Sequence, residues 1–168
     1  GDYNPSGKLP ITFYKNSDQL PDFEDYSMKG RTYRYMNDAL FPFGFGLSYT
    51  TFSIGDAQLS KTILKENESV EITIPVSNTG KRDGTEIVQI YIRKLNDEDG
   101  PLKTLKGFRR VEVAARKSVQ AVINLPYNSF EFYNRENIRM LTTTGEYEIL
   151  YGSSSDAKDL KTVKIMIQ

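Results

Sequence analysis

The side chains of this 168-residue chain that could break bonds are its carboxylates. Hydrolysis at an acetal carbon by nucleophile and acid/base needs two carboxyl groups about 5–5.5 Å apart. The available clusters are Glu24 with Asp25, Glu66 with Glu68, the run Asp97-Glu98-Asp99, and Glu131 with Glu136. All fall in turn-forming stretches or on polar strand faces, so they read as solvated charges that keep loops exposed. Asp97-Glu98-Asp99-Gly100 also offers hard oxygens to a calcium ion, but it lacks the ligand spacing of an EF-hand, and an acidic hairpin ending a strand is the plainer reading. The chain has neither cysteine nor histidine. Zinc sites, thiol chemistry and Ser-His-Asp hydrolysis therefore cannot be assembled within it.

Two further groups of side chains could bind rather than react. Lys103, Lys106, Arg109 and Arg110 surround Phe108, an arrangement that could stack on a base or a sugar. With 22 basic and 22 acidic residues the chain has no net charge to gather a polyanion, so nucleic acid and anionic membranes are disfavoured. Protection of an edge strand by charge is the better account of this basic stretch. The second group is aromatic: Tyr33, Tyr35, Phe41, Phe43, Phe45 and Tyr49. Their dense, irregular spacing with Pro42, Gly44 and Gly46 defeats both helix and strand periods and suits packing onto a neighbouring body more than a glycan platform.

The elements that must position these residues divide the chain in two. From Gly1 to about Tyr49 no regular element is clear: Lys8–Tyr14 is strand-like, a helical turn within Glu24–Met36 is opposed by Gly30, and Phe41–Tyr49 forms an apolar strap. So long a stretch without an element suggests a segment wrapped around another body. From Thr51 onward, short alternating runs are separated by turns every 8 to 12 positions, as in an all-β sandwich. Strands are expected over Thr51–Leu59, around Val70–Val76, Ile87–Ile92, Val111–Val113, Val119–Leu125, Phe130–Phe132, Tyr147–Tyr151 and Val163–Ile167. Val70, Ile72, Ile74 and Val76 alternate with polar residues, whereas Ile87–Ile92 is apolar on both parities and predicts a strand covered on both sides. No apolar run approaches the roughly 20 residues needed to cross a bilayer.

Three segments resemble a known family. Asn4-Pro5-Ser6-Gly7-Lys8-Leu9-Pro10-Ile11-Thr12-Phe13, Gly30-Arg31-Thr32-Tyr33-Arg34-Tyr35 and Leu40–Phe52 are similar to the C-terminal third of family-3 glycoside hydrolases, the exo-acting β-glucosidases and β-xylosidases. Val76–Glu86 and Leu105-Lys106-Gly107-Phe108 resemble the fibronectin type III-like domain that closes those enzymes, and Gly30–Tyr35 leans toward the xylosidase-like branch. The resemblance implies an immunoglobulin-like, fibronectin type III-like antiparallel β-sandwich of seven or eight strands over residues 50–168. Residues 1–49 become the tail of the parent α/β domain plus a wrapping linker, and the opening Gly reads as the interior of a longer polypeptide.

In that family the nucleophilic aspartate and the acid/base glutamate lie upstream of the Asn-Pro-Ser-Gly segment. The resemblance therefore assigns no catalytic, cofactor-binding or metal-ligating residue here and no cofactor, and this piece alone is expected to be inert. Its parent would hydrolyse terminal β-linked glucose or xylose with retention, in the periplasm or secreted. The partners implied are the missing catalytic domains. Removed from them, the Leu40–Tyr49 strap should fold back on the sandwich, and the first thirty residues should self-associate or stay disordered. An alternative is a module that binds carbohydrate or protein through an exposed pair of aromatics, for which Tyr91, Tyr147, Tyr151, Phe130 and Phe132 are the candidates outside the strap.

Overall fold

A computed structural model describes residues 2–168, and these form a mostly β structure with one short α-helical turn. The strands are β1 (Phe52–Ile54), β2 (Gln58–Leu59), β3 (Ile63–Leu64), β4 (Ser69–Asn78), β5 (Gly84–Lys94), β6 (Thr104–Val113), β7 (Ser118–Pro126), β8 (Phe132–Asn134), β9 (Arg139–Leu141), β10 (Gly145–Gly152) and β11 (Leu160–Ile167). The turn of helix is α1 (Thr32–Tyr35). In one sheet β4 is flanked by β7 on one side and by β1 and β2 in tandem on the other. The second sheet has the order β3-β11-β10-β5-β6, and β8 and β9 form a separate ribbon.

The expected single strand over Thr51–Leu59 is broken into β1 and β2, and Pro75 explains why. Its carbonyl accepts a hydrogen bond from the Gly55 N–H (2.8 Å), so the side on which Pro75 lacks its own N–H faces the same neighbour. A strand beside a proline loses a rung there, and the register resumes only at Gln58 opposite Thr73.

Both sheets bury their alternating residues in one core. Val70, Ile72, Ile74 and Val76 of β4 are fully buried and cluster with Val88, Ile90 and Ile92 of β5, Ile149 of β10 and Ile165 of β11. The edges β6 and β7 lie against each other, so the sheets curl together on that side instead of stacking as two separate layers. The expectation of an antiparallel sandwich of seven or eight strands thus holds in its β character and in all pairings but one, while the curled sheets do not form one clear sandwich. Eleven strands are present among the described residues, and β3 pairs parallel with β11, Met166 opposite Ile63 and Ile167 opposite Leu64. The extra pieces, β3 and β9, are two and three residues long, too short to carry a period.

Candidate functional site

β5 presents two covered faces. Val88, Ile90 and Ile92 point into the core, whereas Gln89 and Tyr91, also buried, lie on the opposite parity, where the N-terminal segment covers them. The cover is built from α1 and the strap. The Tyr33 ring stacks on Phe43 with centroids 4.4 Å apart and meets Tyr91 edge-on at 5.6 Å. The Tyr33 hydroxyl accepts from the Leu105 N–H at 3.1 Å, and the Arg34 carbonyl accepts from the Leu102 N–H at 2.7 Å, which ties α1 to the start of β6.

Gln89 is the polar centre of this seam. Its Nε2 donates to the Gly44 carbonyl (3.1 Å) and to the Ser153 carbonyl (2.7 Å), and its Oε1 accepts from the Tyr91 hydroxyl. One amide thus joins strap, β5 and the turn after β10. Ser155 N–H adds a bond to the Phe43 carbonyl at 2.9 Å. Gly44 is required for this approach. Its φ is +78°, and a Cβ there would stand 2.0 Å from Gln89 Oε1. Burial, with a smaller contribution from the neighbouring Tyr33, raises the Tyr91 phenol well above its ordinary value, so it remains a donor.

The first residues are held by the same strap. Leu9 N–H donates to the Phe45 carbonyl and Gly44 N–H to the Leu9 carbonyl, both at 2.8 Å. Phe13 N–H donates to the Phe41 carbonyl and Leu40 N–H to the Phe13 carbonyl in the same way. Asn4 Nδ2 reaches the Asp83 carbonyl at 2.9 Å, and Lys8 pairs with Glu86 at 2.7 Å. Residues 4–13 are therefore engaged within the chain, whereas in the segment that follows Phe23 and Tyr26 are more than nine-tenths exposed.

The acidic clusters fare differently: Asp97, Asp99, Glu131 and Glu136 line one cleft beside α1 and the β8–β9 ribbon, and the others are held locally. Glu24 and Asp25 lie on the exposed segment, where the Ser27 N–H at 2.7 Å holds the Asp25 carboxyl below its usual range. Glu68 is turned back to the Lys65 N–H and Lys61. Asp97 to Gly100 closes as a turn, and Asp99 pairs with Arg135 at 2.8 Å. No cluster of three or more potential metal-ligating side chains occurs among the described residues.

The basic stretch divides. Arg109 and Arg110 are exposed on β6, the edge of its sheet, as edge protection requires. Lys103 is buried beside Asn37 Oδ1 at 3.3 Å, and burial lowers its pKa. Lys106 is likewise held down by burial, donating to the Glu131 carbonyl at 2.8 Å over the Phe132 ring. Neither is an edge guard. The aromatics proposed for a glycan face are also corrected: Tyr91, Tyr147, Tyr151, Phe130 and Phe132 are all buried, Tyr91 under the N-terminal cover and the other four in the core. Among the described residues after the strap, the exposed aromatics are Phe108 and Tyr133.

Known proteins share this architecture. Residues 1–49 match the glycosyl hydrolase family 3 C-terminal domain, and residues 86–155 match the fibronectin type III-like domain. A xylan 1,4-β-xylosidase of Xylanibacter ruminicola is 55% identical over 167 residues, covering 99% of this chain and 19% of that protein. A periplasmic β-glucosidase of Salmonella typhimurium is 34% identical, covering 92% of this chain and 22% of its own length. Among solved structures, a β-glucosidase from Streptomyces venezuelae in complex with D-glucose superposes with a TM-score of 0.85 at 28% identity, over 100% of this chain and 24% of that one. The chain spans about a fifth of the length of the curated relatives it matches.

Proposed function

Since the chain belongs to the C-terminal region of family-3 glycosyl hydrolases, we propose that it is a non-catalytic brace for the reacting domains of a β-xylosidase or β-glucosidase. In this reading residues 1–49 are the tail of the parent α/β domain plus a linker, and residues 50–168 are a fibronectin type III-like sandwich that receives the linker. The observation that carries it is the strap seam. Its buried amide and its ring stack fasten one segment to another, as a brace requires.

The parent reaction would be retaining hydrolysis of a terminal β-linked xylose or glucose, with both carboxyl groups supplied from outside this chain and with no cofactor or metal. No residue here is assigned a catalytic role. Leu20, Phe23, Tyr26 and Leu47, all exposed, would meet the absent catalytic domains, since wet apolar area costs about 25 cal/mol per Å². Among the described residues no helix is long and apolar enough to cross a membrane. A periplasmic or secreted location agrees with the periplasmic relative.

Incubating the purified chain with nitrophenyl β-xyloside and nitrophenyl β-glucoside tests the reading. The expected release of nitrophenol equals that of a mock preparation. Turnover above the mock that survives repurification overturns it.

A further inference from the structure

Residues 15–30 form a loop drawn together at its neck. The Tyr14 hydroxyl donates to the Gly30 carbonyl at 3.1 Å, and Gln19 Nε2 donates to the Asp38 carbonyl at 2.8 Å. Loops closed in this way ordinarily pack on their own side chains. This one does the reverse: every residue from Asp22 to Lys29 is exposed, with Phe23 at 95% and Tyr26 at 91%. Arg31 fixes the shape of the tip by donating to the Asp25 carbonyl at 2.7 Å and to the Ser27 carbonyl at 3.2 Å. The two rings are flanked by Asp18, Asp22, Glu24 and Asp25, and among the described residues none of these four carboxylates has an ion pair.

A surface of opposite character lies on β6, which pairs only with β5 among the described strands. Phe108, Arg109 and Arg110 are exposed in succession. Side chains alternate between the two faces of a strand, so both faces of β6 are wet at this point. Arg109 has no ion pair among the described residues, and Arg110 has only a 3.4 Å contact with Glu112. The two cations guard the edge, yet Phe108 between the strand's faces is 66% exposed and works against that protection. A large ring beside two guanidinium groups is the composition of an interface anchor.

We propose that the acidic, aromatic loop of one copy docks on the Phe108-Arg109-Arg110 edge of a second copy, and the reverse, in a twofold pair. Both halves of the contact are carried by one chain, so two copies satisfy each other without a third component. Guanidinium groups suit this partner because they pair with carboxylates and also stack on aromatic faces. A fully buried aromatic side chain removes roughly 150–250 Å² from water, so Phe23, Tyr26 and Phe108 offer about 500 Å² in one contact. The two contacts of the pair offer about 1,000 Å², the lower end of specific interfaces. The pair is therefore reversible, with a dissociation constant on the order of 10–100 μM. The loop is free to dock where the reacting domains proposed above are absent. Pairing uses only surfaces that this chain carries, so it is tested separately from the brace reading.

Sedimentation velocity of the 168-residue chain over a hundredfold range of concentration, at low and at high salt, reads the pairing directly. The expected result is a monomer–dimer equilibrium that weakens about tenfold as salt rises from about 50 to about 500 mM. Two charge-reversed variants sharpen the test, and all four positions are exposed. Asp22→Lys with Glu24→Lys places a basic loop against a basic edge, whereas Arg109→Glu with Arg110→Glu places an acidic loop against an acidic edge. Each variant by itself should pair about tenfold more weakly than the native chain. Their equimolar mixture should regain the native affinity, because every loop then meets an edge of opposite sign. Phe23→Ser, which leaves the charges in place, should also weaken pairing about tenfold. A sedimentation coefficient independent of concentration, an association that salt does not weaken, or a mixture that pairs no better than its components overturns the proposal.

Discussion

Replacing Gln89 by leucine isolates the energetic role of the strap seam, because the substitution keeps the approximate volume and removes every polar contact. Three groups lose a partner: the Gly44 carbonyl, the Ser153 carbonyl and the Tyr91 hydroxyl. Tyr91 is fully buried and cannot turn to water. At roughly 1–3 kcal/mol for each stranded buried group, Tyr91 and Gly44 alone account for at least about 2 kcal/mol. Partial rehydration of Ser153 and the apolar gain from leucine leave an expected net loss of about 3 kcal/mol. Urea unfolding reads this as a lower midpoint at unchanged slope. The sharper measurement is a double-mutant cycle with Tyr91→Phe. In the native background that change removes a satisfied bond and costs about 1 kcal/mol, whereas in the Gln89→Leu background it removes an orphan and should be neutral or stabilising. A coupling of at least about 1 kcal/mol is expected between these touching side chains. If Gln89→Leu lies within about 0.5 kcal/mol of the native chain, or if Tyr91→Phe has the same effect in both backgrounds, the amide is not what fastens the strap.

Gly44→Ala should also loosen the strap, since the left-handed backbone costs a non-glycine residue about 1–2 kcal/mol and the new methyl group would collide with the Gln89 amide. Limited proteolysis should then cut within residues 40–49 while the β body survives, and an unaltered digestion pattern refutes this. Alkaline titration offers a third check. Burial raises the Tyr91 and Tyr147 phenols, so above about pH 10 the unfolded chain loses phenolic protons that the folded chain keeps, and stability rises or falls with the balance of bound protons. Here the folded chain binds more, so the phenols leave stability undiminished below about pH 10 and lower it progressively as pH rises above that value toward the raised folded range. Lys103 and Lys106, lowered by burial, give an increase with pH just beneath the ordinary lysine range, where the unfolded chain binds more protons. Relative to the phenol-retaining fold, ionising Tyr91 or Tyr147 requires opening it, so part of the tyrosinate absorbance should appear only on unfolding; ionisation of all 11 tyrosines near the ordinary value in the folded state contradicts it.

The sheets were readable where one face is wet and the other dry. β4 and β7 alternate so regularly that their buried residues follow directly from parity. β5 was readable as doubly covered, although its second cover is the strap and not another sheet. Gln89 escaped notice because a glutamine in an apolar run resembles a solvent-facing residue, yet a polar side chain in a strand buried on both sides must be satisfied internally. That rule was available from the sequence. Lys103 was not readable, because its burial depends on Asn37, 66 residues away. The cleft was equally hidden: Arg34, Thr104 and Tyr133 come from three distant parts of the chain, and the ribbon carrying Tyr133 is too short to announce itself.

The parallel pairing of β3 with β11 bears on how the chain matures during translation. β11 sits between β3 and β10, so the latest of the described strands in chain order fills an interior position of its sheet. Until residues 160–167 clear the ribosome, β3 has no ladder and β10 presents an open edge to other nascent chains. Sheets that close through such distant pairings form slowly and expose sticky edges while they wait. A pause in synthesis shortly before β11 would therefore lengthen the interval in which chaperones must shield β10.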